Sequence, residues 1–248
     1  NVAGNLANAV DRHLLTHING LQMLALSSLI DDPQRWPDLY REAQDFQRSF
    51  GPHVILADAA GAMQMRFNTR LPYGSPLPVL PKPDGRAAAP LALATGQPAV
   101  GDSFIGPVAE RPLVAIAVPV VRHGENRHVV LATLETGHFQ KVLDQINAPS
   151  DWSIALVDGV GKTLARRAVG QAQGPREIDA DMRITVRLRQ SAWAVVLDIP
   201  REVTRKPLYQ AIARYLAILG VALAGSVVAG TIAARRLVRG VSGLLETS

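Results

Sequence analysis

The sequence predicts an α+β protein in which one long N-terminal helix packs on two tandem antiparallel-sheet modules and a membrane-spanning helix follows. Three observations carry this reading. An apolar stripe of helical spacing opens the chain, a strand–turn–strand segment returns 100 residues later, and 20 residues near the end carry no charge. With 248 residues, 48% of them hydrophobic, the chain is long enough to bury two small cores.

The stripe comes first. Leu6, Val10, Leu14, Ile18, Leu21, Leu24 and Ser28 recur at spacings of three and four, which places them on one face of a helix over residues 2–32. Pro33 stands just past its end, where a helix-stopping proline belongs. A helix of about 30 residues is about 45 Å long, more than one small module covers. Part of the stripe, near Leu6, Val10 and Leu14, is therefore expected to meet a second copy of the chain. A return helix is predicted over residues 36–49.

Strand and turn signals then take over. HVILADAAGAMQMRF reads as two strands around a turn at Asp58 to Gly61. RPLVAIAVPVV and RHVVLATLE form a second pair that turns at His123, Gly124, Glu125 and Asn126, which leaves Arg122 and His123 exposed at a hairpin tip. A Pro-rich stretch, residues 71–112, joins the two pairs and holds a short helix at 86–95. A connecting helix is predicted at 138–148. WSIALVDGVGKTLAR and ITVRLRQSAWAVVLDI supply two further pairs.

VILADAAGAMQMR recurs as IALVDGVGKTLAR. Leu56, Asp58, Gly61 and Arg66 match Leu156, Asp158, Gly161 and Arg166 at a constant offset of 100. In each copy Asp is expected to cap its own turn, and Gly to supply the positive φ. A second echo aligns Val129-Val130-Leu131 with Val195-Val196-Leu197. Two echoes in the same order mark two related α+β modules in tandem.

Residues 215–234 are uncharged and, as a helix, reach about 30 Å, the thickness of a bilayer core. Arg235, Arg236 and Arg239 follow the span, while Arg214 alone precedes it. The denser arginine flank places the C-terminal end in the cytoplasm and residues 1–214 outside. Small residues recur every four positions at Ala222, Ser226 and Gly230, a spacing that suits close approach of two membrane helices.

Several classes are excluded or disfavoured. The chain has no cysteine, so disulfides, iron–sulfur clusters and a Cys nucleophile are out. The net charge is +5, but arginine is scattered and no nucleic-acid motif accompanies it. His13 and His17 stand four apart on a helix, a metal-compatible spacing. No Glu sits between them in an H-E-x-x-H pattern and no third ligand is evident, so no metal is expected. No nucleophile elbow, P-loop or dinucleotide fingerprint occurs. Neither a cofactor nor a catalytic residue is expected in this chain.

Assembled, the long helix, the paired Asp-x-x-Gly turns and the terminal helix entering a membrane resemble the double Cache (dCACHE) extracytoplasmic sensors, which contain two PAS-like modules. RFNTRLPYGSPLP and VAIAVPVVRHGENRHVVL resemble sensors of bacterial histidine kinases of the HWE subgroup. RRLVRGVSGLLETS resembles the opening of a HAMP linker, with Gly240 where that family usually has proline. The resemblance implies a stalk and return helix at 1–50, a membrane-distal module at 51–148 and a smaller membrane-proximal module at 149–200. A connecting helix at 201–214, a transmembrane helix at 215–234 and a HAMP-like segment from 235 complete the plan, with a first transmembrane helix expected upstream of Asn1. It further implies an inner-membrane homodimer with residues 1–214 in the periplasm. This would sense a small molecule and drive a kinase domain in cis and a response regulator. A diguanylate cyclase or chemoreceptor output is the alternative, and a membrane-anchored extracytoplasmic enzyme is a third.

In a PAS-like module the segment joining the hairpins closes the pocket, and here the first module has the longer join. Along β-strand parity Met63, Met65, Phe67 and Thr69 face one way, toward the long helix. Gln64, Arg66, Asn68 and Arg70 face the other, into a pocket or into water. Taken as a pocket, Arg66 and Arg70 bind an anion bidentately and Asn68 orients it. Tyr73, Asp102 and Ser103 lie near the covering segment.

Overall fold

A computed structural model of the chain describes residues 2–149, 152–167 and 180–200. The expected segments at 201–214, 215–234 and 235–248 lie outside the described residues, as do residues 168–179. No helix among the described residues is long and apolar enough to cross a membrane. The elements below belong to one compact unit, Asn1–Ile178 with Met182–Asp198, and the second unit falls almost wholly outside the described residues.

Helix α1 (Val2–Ala25) opens the fold, with Leu6, Val10, Leu14, Ile18, Leu21 and Leu24 all buried. It stops seven residues short of the expected end at 32, because Ser27 leaves helical geometry and accepts a hydrogen bond from the Leu29 N–H at the head of a 3-10 turn, Ser28–Asp31. Arg122 seals the exposed end. Its guanidinium donates to the carbonyls of Ala25 and Ser27 at 3.1 and 3.2 Å and pairs with Asp31 at 2.8 Å. The arginine expected at a free hairpin tip is thus a helix cap. Helix α2 (Trp36–Phe50) returns along α1 and closes on Gly51 at φ 95°.

The first sheet holds six strands: β1 (His53–Asp58), β2 (Met65–Asn68), β3 (Ala99–Val100), β4 (Phe104–Ile105), β5 (Pro112–Arg122) and β6 (Glu125–Glu135). Its order is β2-β1-β6-β5-β3, with β4 also on β5. His123 and Gly124 join β5 to β6 with φ of 54° and 81°. Two positive φ values make the primed hairpin turn that matches strand twist. Helices α1 and α2 cover one face of this sheet. Helix α3 (Ala88–Thr95) covers the other, where Ala57, Ala88, Ala89, Ala92, Ala115 and Ala117 let it approach closely.

Helix α4 (Gly137–Asp144) leads to a second sheet of β7 (Ser153–Val157), β8 (Thr163–Arg167), β9 (Ala180–Arg187) and β10 (Ala194–Pro200), in the order β8-β7-β10-β9. Phe139 of α4 meets the fully buried Trp193 edge-to-face at 5.3 Å. Arg167 donates to the carbonyls of Ile146, Ala148 and Pro149, so α4 ends earlier than the sequence suggests.

Helix α1 serves both sheets. It packs on β5 and β6, and its Asp11 carboxylate accepts the Arg189 and Gln190 backbone N–H groups at 3.0–3.1 Å, in the turn between β9 and β10. This corrects the expectation that Leu6, Val10 and Leu14 meet a second chain. They are 0–1% exposed within one chain.

The repeat is real in three dimensions, and its register is instructive. The β1–β2 ladder slips between Leu56 and Ala57, and the β7–β8 ladder between Leu156 and Val157, the same place in each copy. Beyond the turn the copies fall out of step. Asn68 stands opposite Ile55, whereas Arg166 stands opposite Ala155, so the counterpart of Arg166 is Asn68 and not Arg66. Leu56 pairs with Val130 and Leu156 with Val195, one residue off the second echo.

Candidate ligand-binding cavity

The first sheet, α3 and residues 79–90 and 106–109 enclose a cavity of about 280 Å³. Its walls are apolar, built by Met63, Met65, Leu80, Phe104, Leu113 and Leu131 among others. Its polar lining comes from Asn68 of β2, Arg70 just beyond it and Thr133 of β6, with Lys82 and Asp102 from the segments that cover the sheet.

A bulge decides which β2 side chains reach this cavity. Ala57 faces Met65, and Leu56 faces Phe67, so Arg66 is the extra residue between two ladder pairs. Met65 and Asn68 consequently share the cavity face with Ile55, while Phe67 turns to the helices and meets Tyr40 at 5.6 Å. Simple alternation assigns Met63 and Met65 to the helix face; the bulge moves Met65 to the cavity, and Met63 reaches it from the turn at φ 50°. Arg66 is turned away, where it forms a two-pronged ion pair with Asp58 and lies over the Trp36 ring at 5.6 Å. Asp58 is therefore held by Arg66 and is not the cap of its own turn.

Of the residues the sequence singles out, the structure brings Asn68, Arg70 and Asp102 to the cavity lining. Asn68 is 7% exposed, and its Oδ1 accepts the Arg70 N–H at 3.0 Å, which leaves its amide NH2 as the donor on offer. The Arg70 side chain is 18% exposed and sits 3.6 Å from Glu135, a loose ion pair that Glu135 shares with Arg111 at 3.1 Å. Burial, and then the charge of Arg70, hold His53 below its ordinary pKa. Tyr73 lies outside the lining and packs edge-on against Tyr40 at 5.5 Å.

Asp102 and Ser103 do something the sequence did not suggest. Asp102 is 1% exposed and accepts the Arg86 N–H on Oδ2 and the Gly159 N–H on Oδ1, both at 2.7 Å. Ser103 donates through its N–H and hydroxyl to Asp158 Oδ2 at 3.1 and 2.9 Å. Asp158 Oδ1 meanwhile caps its own turn at Val160 and Lys162. The Trp193 indole N–H donates to the Gly101 carbonyl at 3.2 Å. Residues 101–103 form a cavity wall clasped by the second sheet. The pairings span 55 to 92 residues, and no spacing rule reaches so far.

The histidines at 13 and 17 also find company. His13 Nε2 lies 3.1 Å from His17 Nε2, and His13 stacks on His138 of α4 at 4.5 Å. No group of three or more metal-binding side chains is placed to hold a metal among the described residues.

No protein-family model matches the sequence, and no curated protein matches it. Solved structures do resemble the fold. The ligand-binding domain of the Pseudomonas aeruginosa amino acid chemoreceptor PctB in complex with L-Gln aligns at TM-score 0.59 and 20% identity, over 88% of this chain and 96% of that one. That of the Campylobacter jejuni chemoreceptor Tlp3 in complex with L-norvaline aligns at 0.58 and 12%, over 84% and 91%. That of the Pseudomonas fluorescens chemoreceptor CtaA in complex with L-isoleucine aligns at 0.54 and 17%, over 81% and 90%. At such identities the likeness is one of architecture, and the chain has the α+β fold of the double Cache ligand-binding domains of chemoreceptors.

Proposed function

We propose that this chain is the extracytoplasmic small-molecule sensor of a transmembrane receptor, and that its ligand enters the first-module cavity with an anionic group on Arg70. The observation that carries this reading is the cavity itself: apolar walls converging on Arg70 and Asn68 at the end of β2. A preformed apolar pocket with few convergent polar groups is the usual form of a small-molecule site. The similar domains in other receptors were solved with amino acids or GABA, which supports a small ligand here.

The modules at 51–148 and 149–200, the periplasmic placement and the homodimer belong to the same reading. Because the chain has no cysteine, single cysteines test the topology. His123→Cys, exposed at the hairpin turn, should react with an impermeant thiol reagent from the periplasmic side, and Ser242→Cys should not. A histidine kinase with its response regulator is one output, and a chemotaxis signalling domain fits the structural likeness at least as well.

The ligand test is a thermal-shift screen of small carboxylates against the full chain in detergent, since a ligand of the folded state raises stability by mass action. Arg70→Ala should weaken any hit by about 1.5–3 kcal/mol, the range for a hydrogen bond to a charged group. A hit that Arg70→Ala leaves unchanged refutes the site.

A further inference from the structure

Resting on the cavity reading above, we infer that the ligand is an apolar acid without an ammonium group, and that the cavity discriminates against α-amino acids. The lining offers very different partners to the two charges. Arg70 and Lys82 are cations, and the Asn68 amide is a donor. Among the described residues of the lining, Asp102 is the single carboxylate.

Asp102 is already committed. Each of its oxygens accepts a backbone N–H at 2.7 Å, one from Arg86 and one from Gly159. Two glycines close over it, for a Cβ at Gly85 would stand 2.3 Å from Oδ2 and one at Gly159 2.8 Å from Oδ1. With 1% of its surface accessible, it has no face left for an ammonium. Glu135, the nearest other acid to Arg70, is not part of the lining, and its two oxygens face Arg70 and Arg111.

An ammonium brought into this cavity would lose its water and gain no counter-charge, while two cations already line the same space. Unpaired burial of a charge is the costliest thing a binding site can demand. A carboxylate meets the opposite situation, because Arg70 holds Glu135 only loosely at 3.6 Å and has donors to spare. Met63, Met65, Leu80, Phe104, Leu113 and Leu131 then take an aliphatic or aromatic body.

The experiment uses pairs that differ by the ammonium alone: 4-methylpentanoate against leucine and 3-phenylpropanoate against phenylalanine, titrated calorimetrically into the full chain in detergent. Each acid is expected to bind at least tenfold more tightly than its amino acid, and Arg70→Ala should weaken the acid's binding at least tenfold. Any smaller preference overturns the inference while leaving the cavity reading intact. Acid binding that Arg70→Ala, or the cavity-filling Ala89→Trp, leaves unchanged overturns the cavity reading as well. Failure of all four probes to bind overturns both.

Discussion

His17 is 3% exposed, faces His13, His138 and the Phe50 ring, and has no partner for Nδ1. Burial first, and then the two neighbouring histidines, lower its pKa from 6.5 to about 4. The tautomer follows from the orphaned atom. An unpaired acceptor is tolerated better than an unpaired N–H donor, so the proton belongs on Nε2, where it is donated to His13. The folded state thus prefers the neutral ring, and the unfolded state binds the extra proton. Stability from this site is complete above about pH 6.5 and is lost as pH falls toward 4, by on the order of 2–3 kcal/mol. Urea unfolding at pH 7 and pH 5 should show the drop. His17→Leu should flatten the slope between the two pH values whatever it does to the plateau. An unchanged slope would show that another group titrates.

At the level of the strand, the β2 bulge controls the site. Because Arg66 occupies the bulge and is spent on Asp58, Arg66→Ala should leave the affinity for any probe that needs Arg70 within about twofold. Its stability cost should stay near 1 kcal/mol, as befits a half-exposed ion pair. A loss of binding comparable to that of Arg70→Ala would mean that β2 is in the unbulged register in solution. This is also where the sequence stops being legible. Helices α1 to α4, the hairpins and both repeat turns follow from periodicity and Gly placement. Arg70 and Asn68 reach the cavity because they lie beyond the bulge. Met65 lies before it, where alternation gives the opposite face. The strands β3 and β4 are two residues each within Pro-rich chain, too short for any period to register.

On the scale of the whole molecule, the clasp of residues 101–103 by Asp158, Gly159 and Trp193 joins ligand wall to second sheet. The repeat foretold that Asp158 holds a turn; nothing in it foretold that the same carboxylate would also hold Ser103. Asp158→Ala removes the acceptor of the buried Ser103 N–H and hydroxyl and of the part-buried Val160 and Lys162 N–H groups, and should cost about 3 kcal/mol. The milder Ser103→Ala removes one hydroxyl bond and should cost about 1 kcal/mol. Hydrogen exchange provides the functional readout. An acid that binds the cavity should slow exchange in β7 and β10, and Ser103→Ala should reduce that remote protection more than it reduces affinity. Remote protection that is indifferent to Ser103 would place the connection elsewhere, because a ligand shifts only an equilibrium to which it is energetically linked.

The anchoring of Asp11 to the turn at Arg189 and Gln190 bears on how the chain is made. Its partners are 178 and 179 residues away, so α1 receives one of its contacts from a hairpin synthesised much later. Closing so wide a loop is slow, although doubling its length adds only about 0.6 kcal/mol. Until the β9–β10 hairpin arrives, the N-terminal half of α1 lacks that anchor. The folding of this protein is therefore expected to be most exposed to aggregation in chains halted before Arg189, and to become safe once that turn is complete.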